Sequence, residues 1–343
     1  MENELKWMSE LRSCKLCEWR CGVNRLENER GVCGITIPLV AASSLHPAPP
    51  ASYDAFLVGC SFCCLFCQNW RIANYPENPS SGEIEGYYAP KEWGELAVRS
   101  LRSPLAKLID ADRLFFTGGE PTCSLPWVEE VVKEARKIDP EVRVNYDTNG
   151  FLTMTSMRRV IKFTTSVTFD IKAYNEETFR ALTGAPVEPV LRNAEFIARR
   201  ARDKLYEFRI MVIPGVHEKE VPDLCEFLAS VDPSLPTCFL AFRPNFVMDV
   251  HPGATRELME RCVDAAKKKG LENVSWSGGV NIPGEISKSI KDKMRLSKLW
   301  PKQARLVSAY ALERGCVQER RNCGACSAHE TCRIRRYVPY RST

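Results

Sequence analysis

The sequence lacks both a long apolar run and a basic, apolar leader. None of its apolar runs approaches the roughly 20 residues that a membrane-spanning helix requires. The chain starts MENELKWMSE, which is acidic where a signal peptide would be basic. We therefore expect a cytoplasmic protein that does not enter a membrane.

The sequence also has no marked excess of charge of one sign and very few histidines. Its 48 lysines and arginines nearly balance 43 aspartates and glutamates, which leaves a net charge of +5. Such an even balance argues against nucleic acid as a partner. The histidines form no closely spaced pair, and none is predicted to be catalytic; they are His46, His217, His251 and His329.

Cysteine is abundant, with 16 residues among 343. Because the cytosol keeps thiols reduced, metal or cluster binding is the expected role rather than disulfide formation. Twelve of these cysteines form three groups, namely Cys14, Cys17, Cys21 and Cys33, then Cys60, Cys63, Cys64 and Cys67, and lastly Cys316, Cys323, Cys326 and Cys332. The other four are predicted to be small buried apolar residues; they are Cys123, Cys225, Cys238 and Cys262.

Short β-rich runs alternate with amphipathic helical stretches between about residue 53 and residue 275. This alternation predicts an α/β fold with a parallel sheet covered by helices. Six strands are predicted, at Ala55–Gly59, Arg113–Thr117, Arg143–Asp147, Ser166–Ile171, Glu207–Ile213 and Cys238–Arg243. Helices are predicted at Trp127–Lys137, Glu176–Thr183, Leu191–Arg202 and Val221–Ala229. Polar, glycine or cysteine motifs follow all six strands, where parallel βα arrays carry their functional residues, so one shared pocket is expected.

The strongest chemical signal is the segment GCSFCCLFCQNW, which follows the first predicted strand. Its residues Cys60, Cys64 and Cys67 have the spacing C-x3-C-x2-C. Three thiolates on one loop can hold three irons of a [4Fe–4S] cluster and leave the fourth iron open for a substrate or cofactor. Cys63 is interpreted as a bystander, because neighbouring side chains cannot easily reach the same cluster. A zinc site made by the four thiols is the alternative.

These motifs resemble the radical S-adenosylmethionine (SAM) superfamily, whose signature is this cysteine loop with an aromatic residue before the last cysteine, here Phe66. The segment FFTGGEPT, residues Phe115–Thr122, is similar to the family's glycine-glycine-glutamate motif. Three further segments resemble the pyruvate formate-lyase activating enzyme branch, namely YDTNGF (Tyr146–Phe151), FDIKAYNEETFRALTG (Phe169–Gly184) and RIMVIPG (Arg209–Gly215). The resemblance implies a partial (β/α)6 barrel of the radical SAM type with cysteine-rich extensions at both ends.

The resemblance also implies a set of site residues. Cys60, Cys64, Cys67 and Lys172 would be catalytic. SAM would be bound by Phe66, Gly118, Gly119, Glu120, Asp147, Thr148, Asn149, Asp170, Arg209 and Pro214. Asp147 and Asp170 would also hold a monovalent cation. Read without the resemblance, the two glycines form an ordinary turn, and Asp170 with Lys172 forms a solvated pair.

The two terminal cysteine groups are predicted to bind metal as well. The N-terminal group has gaps of two, three and eleven residues, which suits zinc or a second iron–sulfur cluster. The C-terminal group resembles the auxiliary-cluster tails of peptide-modifying radical SAM enzymes, but the further cysteine expected after Cys332 is absent. Free reduced thiols are the alternative for both groups.

The sequence therefore predicts a radical SAM enzyme, an oxidoreductase that cleaves SAM reductively and abstracts hydrogen from a protein or peptide substrate. A one-electron reductant such as ferredoxin or flavodoxin would be its second partner. The alternatives are a cobalamin-assisted C-methyltransferase and a non-enzymatic iron–sulfur electron carrier. The predicted regions are an N-terminal metal-binding extension at 1–45, a radical SAM core at 46–275 and a C-terminal cysteine-rich region at 276–343.

Overall fold

A computed structural model describes residues 6–339 of the chain. It contains two compact units. The first consists of the described part of Met1–Ser61 together with Arg71–Thr168, and the second of Phe62–Trp70 together with the described residues from Phe169 onward. The predicted terminal regions each include residues outside the described part, and the predicted region limits stay a prediction.

The first unit is built on strands that run mainly parallel. Its strands are β1 (Val40–His46), β2 (Ser52–Leu57), β3 (Arg113–Gly118) and β4 (Arg143–Thr148). β1 pairs with β2 in antiparallel fashion, whereas β2 with β3 and β3 with β4 are parallel pairs. Leu57 lies opposite Gly118 in the register. The carboxyl ends of β2 and β3 are therefore neighbours, and the loops that follow them meet.

The second unit repeats the parallel arrangement. The strand β5 (Ser166–Ile171) begins in the first unit and ends in the second, which also contains β6 (Leu205–Val212), β7 (Thr237–Ala241) and β8 (Val274–Ser277). β6 pairs in parallel with β7, and β7 pairs in parallel with β8. The fold is thus mixed α/β with parallel strands, as the sequence predicts.

All six predicted strands are present, and the sequence missed β1 and β8. In β1 exposure alternates strictly after Val40, and the small or polar residues of VAASSLH give little apolar signal. β8 has only four residues, none of them fully buried. The proline-rich segment 47–51 therefore connects two strands, β1 and β2.

Helices lie between the strands and after β8. They are α1 (Trp70–Ala73), α2 (Pro90–Leu101), α3 (Pro104–Leu108), α4 (Leu125–Ile138), α5 (Met154–Phe163), α6 (Glu176–Thr183), α7 (Glu188–Arg200), α8 (Val221–Val231), α9 (Arg256–Lys268), α10 (Lys288–Leu296) and α11 (Lys302–Glu313). The four predicted helices correspond to α4, α6, α7 and α8. Among the residues that the structure describes, no helix has the length and apolarity needed to cross a bilayer.

Each unit has its own aromatic core. In the first unit the rings of Trp93 and Phe116 lie 5.5 Å apart, and Trp127 meets Phe116 edge-on. In the second unit Phe169 of β5 packs edge-on against Phe208 of β6, with 5.5 Å between the ring centroids. Such ring pairs add to the stabilisation that the burial of apolar area already gives. They therefore hold the strands firmly beneath the loops that follow them.

Candidate active site

The boundary between the two units passes through the C-x3-C-x2-C motif. Cys60 belongs to the first unit, whereas Cys64 and Cys67 belong to the second. The surroundings of each thiol are therefore described within its own unit.

Cys60 is 7% exposed and lies beside the loop that follows β4. The side-chain amide of Asn149 points its Nδ2 at the Cys60 Sγ, 3.7 Å away, and donates to the Ser61 hydroxyl at 3.0 Å. The Asn149 Oδ1 in turn accepts from the backbone N–H of Phe151 at 3.0 Å. Asn149 is thus a positioning residue, whose amide can donate to a thiolate at position 60.

The two glycines after β3 allow an unusually close approach of two backbones. A Cβ on Gly119 would lie 1.9 Å from the carbonyl oxygen of Gly59, and one on Gly118 would lie 2.3 Å from the nitrogen of Leu57. Gly119 donates its N–H to the Leu57 carbonyl at 2.8 Å. These glycines therefore serve first to seat the residues that lead into Cys60, which an ordinary turn would not require.

Glu120 is buried, and its carboxylate organises the end of β4. It accepts hydrogen bonds from the backbone N–H groups of Thr122 and Asn149 at 3.1 and 2.8 Å. The Thr148 hydroxyl donates to the same carboxylate at 2.9 Å. Three residues implied as SAM contacts, Glu120, Thr148 and Asn149, are consequently joined in one network, in which Glu120 orients the other two.

Burial raises the pKa of the Glu120 carboxyl from an ordinary value of 4.5 to about 7, although the hydrogen bonds to its oxygens oppose this shift. Between these pH values the folded chain holds a proton that the unfolded chain has lost. Protonated Glu120 therefore makes its full contribution to the free energy of unfolding below pH 4.5. This contribution, about 3 kcal/mol in total, is lost as the pH rises through 7.

We expect Glu120→Gln to remove this pH dependence. The free energy of unfolding, measured by urea titration from pH 5 to pH 8, should fall more steeply for the parent protein than for the variant. Glu83→Gln, at an exposed carboxylate, is the matched control and should keep the parent slope. Parallel slopes for the parent and Glu120→Gln would contradict the assignment.

Asp147 lies at the end of β4, partly exposed, and accepts a hydrogen bond from the Thr117 hydroxyl at 2.7 Å. This bond links the last residues of β3 and β4. The predicted role of Asp147 and Asp170 in holding a monovalent cation stays a prediction.

In the second unit, the segment from Phe62 to Trp70 that carries Cys64 and Cys67 is tied down along its length. Leu65 donates its N–H to the Leu182 carbonyl at 3.0 Å and accepts from the N–H of Met248 at 3.2 Å. Trp70 stacks on Phe246 with 5.6 Å between the ring centroids. The loop is therefore held by two separate parts of the unit, the end of α6 and the segment 246–248, rather than by its cysteines alone.

Lys172 lies in the same unit, near Phe66 and Cys64. Its ammonium pairs with the Asp170 carboxylate at 2.6 Å and lies 5.9 Å from the centre of the Phe66 ring. Burial raises the pKa of the Cys64 thiol to about 12, and the positive charge of Lys172 opposes this rise. Lys172 is thus placed to stabilise a thiolate at position 64.

The last two residues predicted to contact SAM belong to this unit. Arg209 lies within β6, and Pro214 follows the end of this strand. The Arg209 guanidinium pairs with Glu207 at 2.7 Å, two residues away on the same face of the strand. The carbonyl oxygen of Pro214 is 2.8 Å from the His251 Nε2. This imidazole thus fixes the backbone at the turn after β6.

Two buried histidines, His217 and His251, bind backbone groups in this unit, and neither role is predicted from the sequence. The His217 Nδ1 accepts from the backbone N–H of Ile213 at 2.9 Å, so its Nε2 carries the proton and donates to the Lys172 carbonyl at 2.9 Å. Burial lowers the pKa of His217 to about 4, which keeps the ring neutral. Lone histidines in a sequence carry no signal for such bridges, because both partners are backbone groups.

The N-terminal cysteines lie together in the first unit; they are Cys14, Cys17, Cys21 and Cys33. Burial and then the neighbouring thiols of Cys33, Cys21 and Cys14 raise the pKa of Cys17 well above its usual range. The buried Arg25 directs its Nη1 at the Cys14 Sγ, 3.8 Å away. Cys123, a predicted buried residue, is 3% exposed and shares a hydrogen bond with Cys33.

The C-terminal cysteines lie in the second unit. In residues 6–339, no set of three or more histidine, cysteine, aspartate or glutamate side chains is already arranged as a metal cage. Metal binding by either terminal group stays a prediction.

Several known proteins are similar to this chain. An uncharacterized protein of Methanocaldococcus jannaschii, MJ0674, is 26% identical over 278 residues, which is 76% of each chain. A radical SAM methyltransferase from Sphaerobacter thermophilus has a TM-score of 0.49 and 14% identity, covering 69% of this chain and 70% of that one. A domain of pyruvate-formate lyase-activating enzyme from Bacteroides vulgatus has a TM-score of 0.40 and 21% identity, covering 49% of this chain and all of that one.

The model of the radical SAM superfamily matches residues 55–228, which is half of the 343-residue chain and includes the cysteine loop, the glycine pair and Lys172. The chain belongs to the radical SAM superfamily, and its cofactors are therefore a [4Fe–4S] cluster and SAM.

Proposed function

We propose that this protein is an activating-enzyme-like radical SAM enzyme that abstracts hydrogen from a C–H bond of a polypeptide. The observation that carries the proposal is the position of the FDIK motif. Its Asp170 and Lys172 pair at 2.6 Å, beside Phe66 and Cys64 of the cysteine loop. The residues through which the sequence resembles the activating enzymes are thus next to the loop that serves the chemistry.

The residues fit the [4Fe–4S] cluster by their chemistry. Cys60, Cys64 and Cys67 are soft thiol donors, and three ligands leave one iron open. The Asn149 amide at Cys60 and the Lys172 ammonium near Cys64 each offset the negative charge of a thiolate. When bound, the cluster supplies the single electron that cleaves SAM into methionine and a 5′-deoxyadenosyl radical, which takes hydrogen from the substrate.

The chain itself supplies binding and orientation. We assign the Phe66 ring to the adenine and the backbone around Gly118 and Gly119 to the amino group of SAM. Glu120 orients Thr148 and Asn149 through its buried carboxylate. Lys172 and Asp170 hold each other's charge in place.

The test is deuterium transfer from a fractionated host extract. The anaerobically purified protein, unlabelled SAM and a one-electron reductant are incubated with extract from cells grown in deuterated medium, split by size into a polypeptide fraction and a metabolite fraction. We expect deuterium in 5′-deoxyadenosine with the polypeptide fraction only, and methionine as the second product.

Three results would contradict the proposal. Deuterium arriving only from the metabolite fraction would exclude a polypeptide substrate. S-adenosylhomocysteine formed with the methylated product would identify a methyltransferase instead, and cobalamin dependence would then be measured. A protein that releases no 5′-deoxyadenosine with either fraction would favour the electron-carrier alternative.

A further inference from the structure

Cys63 is not isolated in the folded chain, although the sequence marks it as a bystander. Its side chain is 2% exposed and shares hydrogen bonds with the thiols of Cys323 and Cys332. All three belong to the second unit. Three cysteines from the two ends of this unit's sequence therefore meet at one place, beside the radical SAM loop.

The end of α6 holds Cys63 and Cys323 side by side. Cys63 donates its N–H to the Thr183 carbonyl, and Cys323 donates its N–H to the next carbonyl, that of Gly184, both at 2.9 Å. Gly184 has φ +81°, and a Cβ there would lie only 2.2 Å from the Cys323 Sγ. The turn at the end of α6 thus binds the backbones of both cysteines through two adjacent carbonyl groups.

A buried arginine fixes the same group. Arg321 is 1% exposed and donates to the Cys63 carbonyl at 2.7 Å and to the Ala181 carbonyl at 2.8 Å. The same guanidinium lies 3.9 Å from the Cys323 Sγ. Four thiolates around a divalent metal or an iron–sulfur cluster carry a net negative charge, and a buried guanidinium would stabilise it.

We propose that Cys63 is a ligand of a metal centre formed with Cys323, Cys326 and Cys332, and that Cys316 is not one of its ligands. The C-x2-C spacing of Cys323 and Cys326 is typical of two ligands to one metal. The Cys316 thiol instead donates to the Gln318 carbonyl of its own loop at 3.5 Å. Cys63 would thus take the place of the further cysteine that is expected after Cys332 but is absent from the sequence.

The centre takes a thiolate-binding metal, either zinc or an iron–sulfur cluster. In residues 6–339 the thiols of Cys63, Cys323 and Cys332 share hydrogen bonds but are not yet arranged as a metal cage. On binding, each ligand loses its proton to solvent and forms a sulfur–metal bond. Oxidation states do not change in this step.

The test counts metal in a background that lacks the radical SAM cluster. The full chain carrying Cys60→Ala, Cys64→Ala and Cys67→Ala is purified without air, and iron, sulfide and zinc per chain are measured. Adding Cys63→Ala should remove the metal content of one centre. Adding Cys316→Ala, or Cys225→Ala at a buried cysteine outside the three groups, should leave the metal content unchanged.

A second measurement covers the case in which Cys63→Ala does not fold. Cys63→Ser keeps the side-chain size and the backbone carbonyl that Arg321 contacts. In protein stripped and reloaded with Co²⁺, this variant should lose one thiolate's share of the sulfur-to-cobalt charge-transfer absorption. Cys316→Ser should lose none.

Full metal content in Cys63→Ala, or loss of metal in Cys316→Ala, would overturn the proposal. The second result would restore the ligand set predicted from sequence, Cys316, Cys323, Cys326 and Cys332. Since the background variant lacks the radical SAM cluster, neither result depends on whether the proposed function is correct.

Discussion

Replacing Cys60, Cys64 and Cys67 together by alanine should reduce SAM cleavage to the level of a protein-free control. These three thiols are the ligands expected in the matched superfamily region, and without them no iron is held where SAM would meet it. The measurement is 5′-deoxyadenosine formed under anaerobic conditions with a one-electron reductant and SAM. Circular dichroism of the same sample would verify that the variant is folded.

The matched control for this loss is Cys238→Ala. Cys238 is also buried, but its thiol contacts the Phe239 carbonyl at 3.8 Å and the Ser277 hydroxyl at 3.7 Å, in β7 and β8. We expect this variant to retain SAM cleavage. If the triple variant produced 5′-deoxyadenosine at the parent rate, the assignment of the cysteine loop would be wrong.

Gly119→Ala should damage both the stability of the first unit and the site. The added Cβ would lie 1.9 Å from the Gly59 carbonyl oxygen, and backbone cannot rotate away as a flexible side chain can. It would also break the hydrogen bond from the Glu120 N–H to the same carbonyl, which is 2.9 Å long. We expect a loss of at least about 3 kcal/mol of unfolding free energy and loss of SAM cleavage.

Gly82→Ala provides the comparison, because a Cβ at that position would meet nothing within 4 Å. Urea unfolding of both variants, followed by circular dichroism, separates the effect of the contact from the general effect of replacing glycine. Equal stability of the two variants would show that the backbones at Gly119 and Gly59 are not packed as described.

The parts of the fold that the sequence predicted are those with strong local signals. β2 and β3 are buried on both faces for most of their length, and each contains a short apolar run, AFL and LFF, which indicates a strand without knowledge of its neighbours. β1 and β8 give weaker signals, since most residues of β1 are small or polar and β8 has only four residues. Their pairing with β2 and β7 decided that they are strands.

The candidate site likewise contains residues that have a local sequence signal and contacts that have none. The resemblance to the radical SAM family implied that Glu120 contacts SAM. The hydrogen-bond partners of its carboxylate, Thr148 and Asn149, come from the end of the next strand and are identified only in the folded chain. His217 gives no sequence signal at all, because it bridges two backbone groups, at Ile213 and Lys172. Hydrogen bonds to backbone do not depend on the residue type of the partner.

The sequence by itself determined the family, the α/β alternation and the order of the strand-end motifs, because each of these is written in a short contiguous segment. Tertiary structure decided which distant groups meet. Arg321 and Cys63 are 258 positions apart, and nothing in their spacing relates them. Their contact, and the pairing of Cys63 with Cys323, depends on the loop at the end of α6, whose adjacent carbonyls bind both cysteine backbones. Spacing along a chain identifies metal ligands only when they are sequence neighbours, whereas packing also brings together thiols from distant segments.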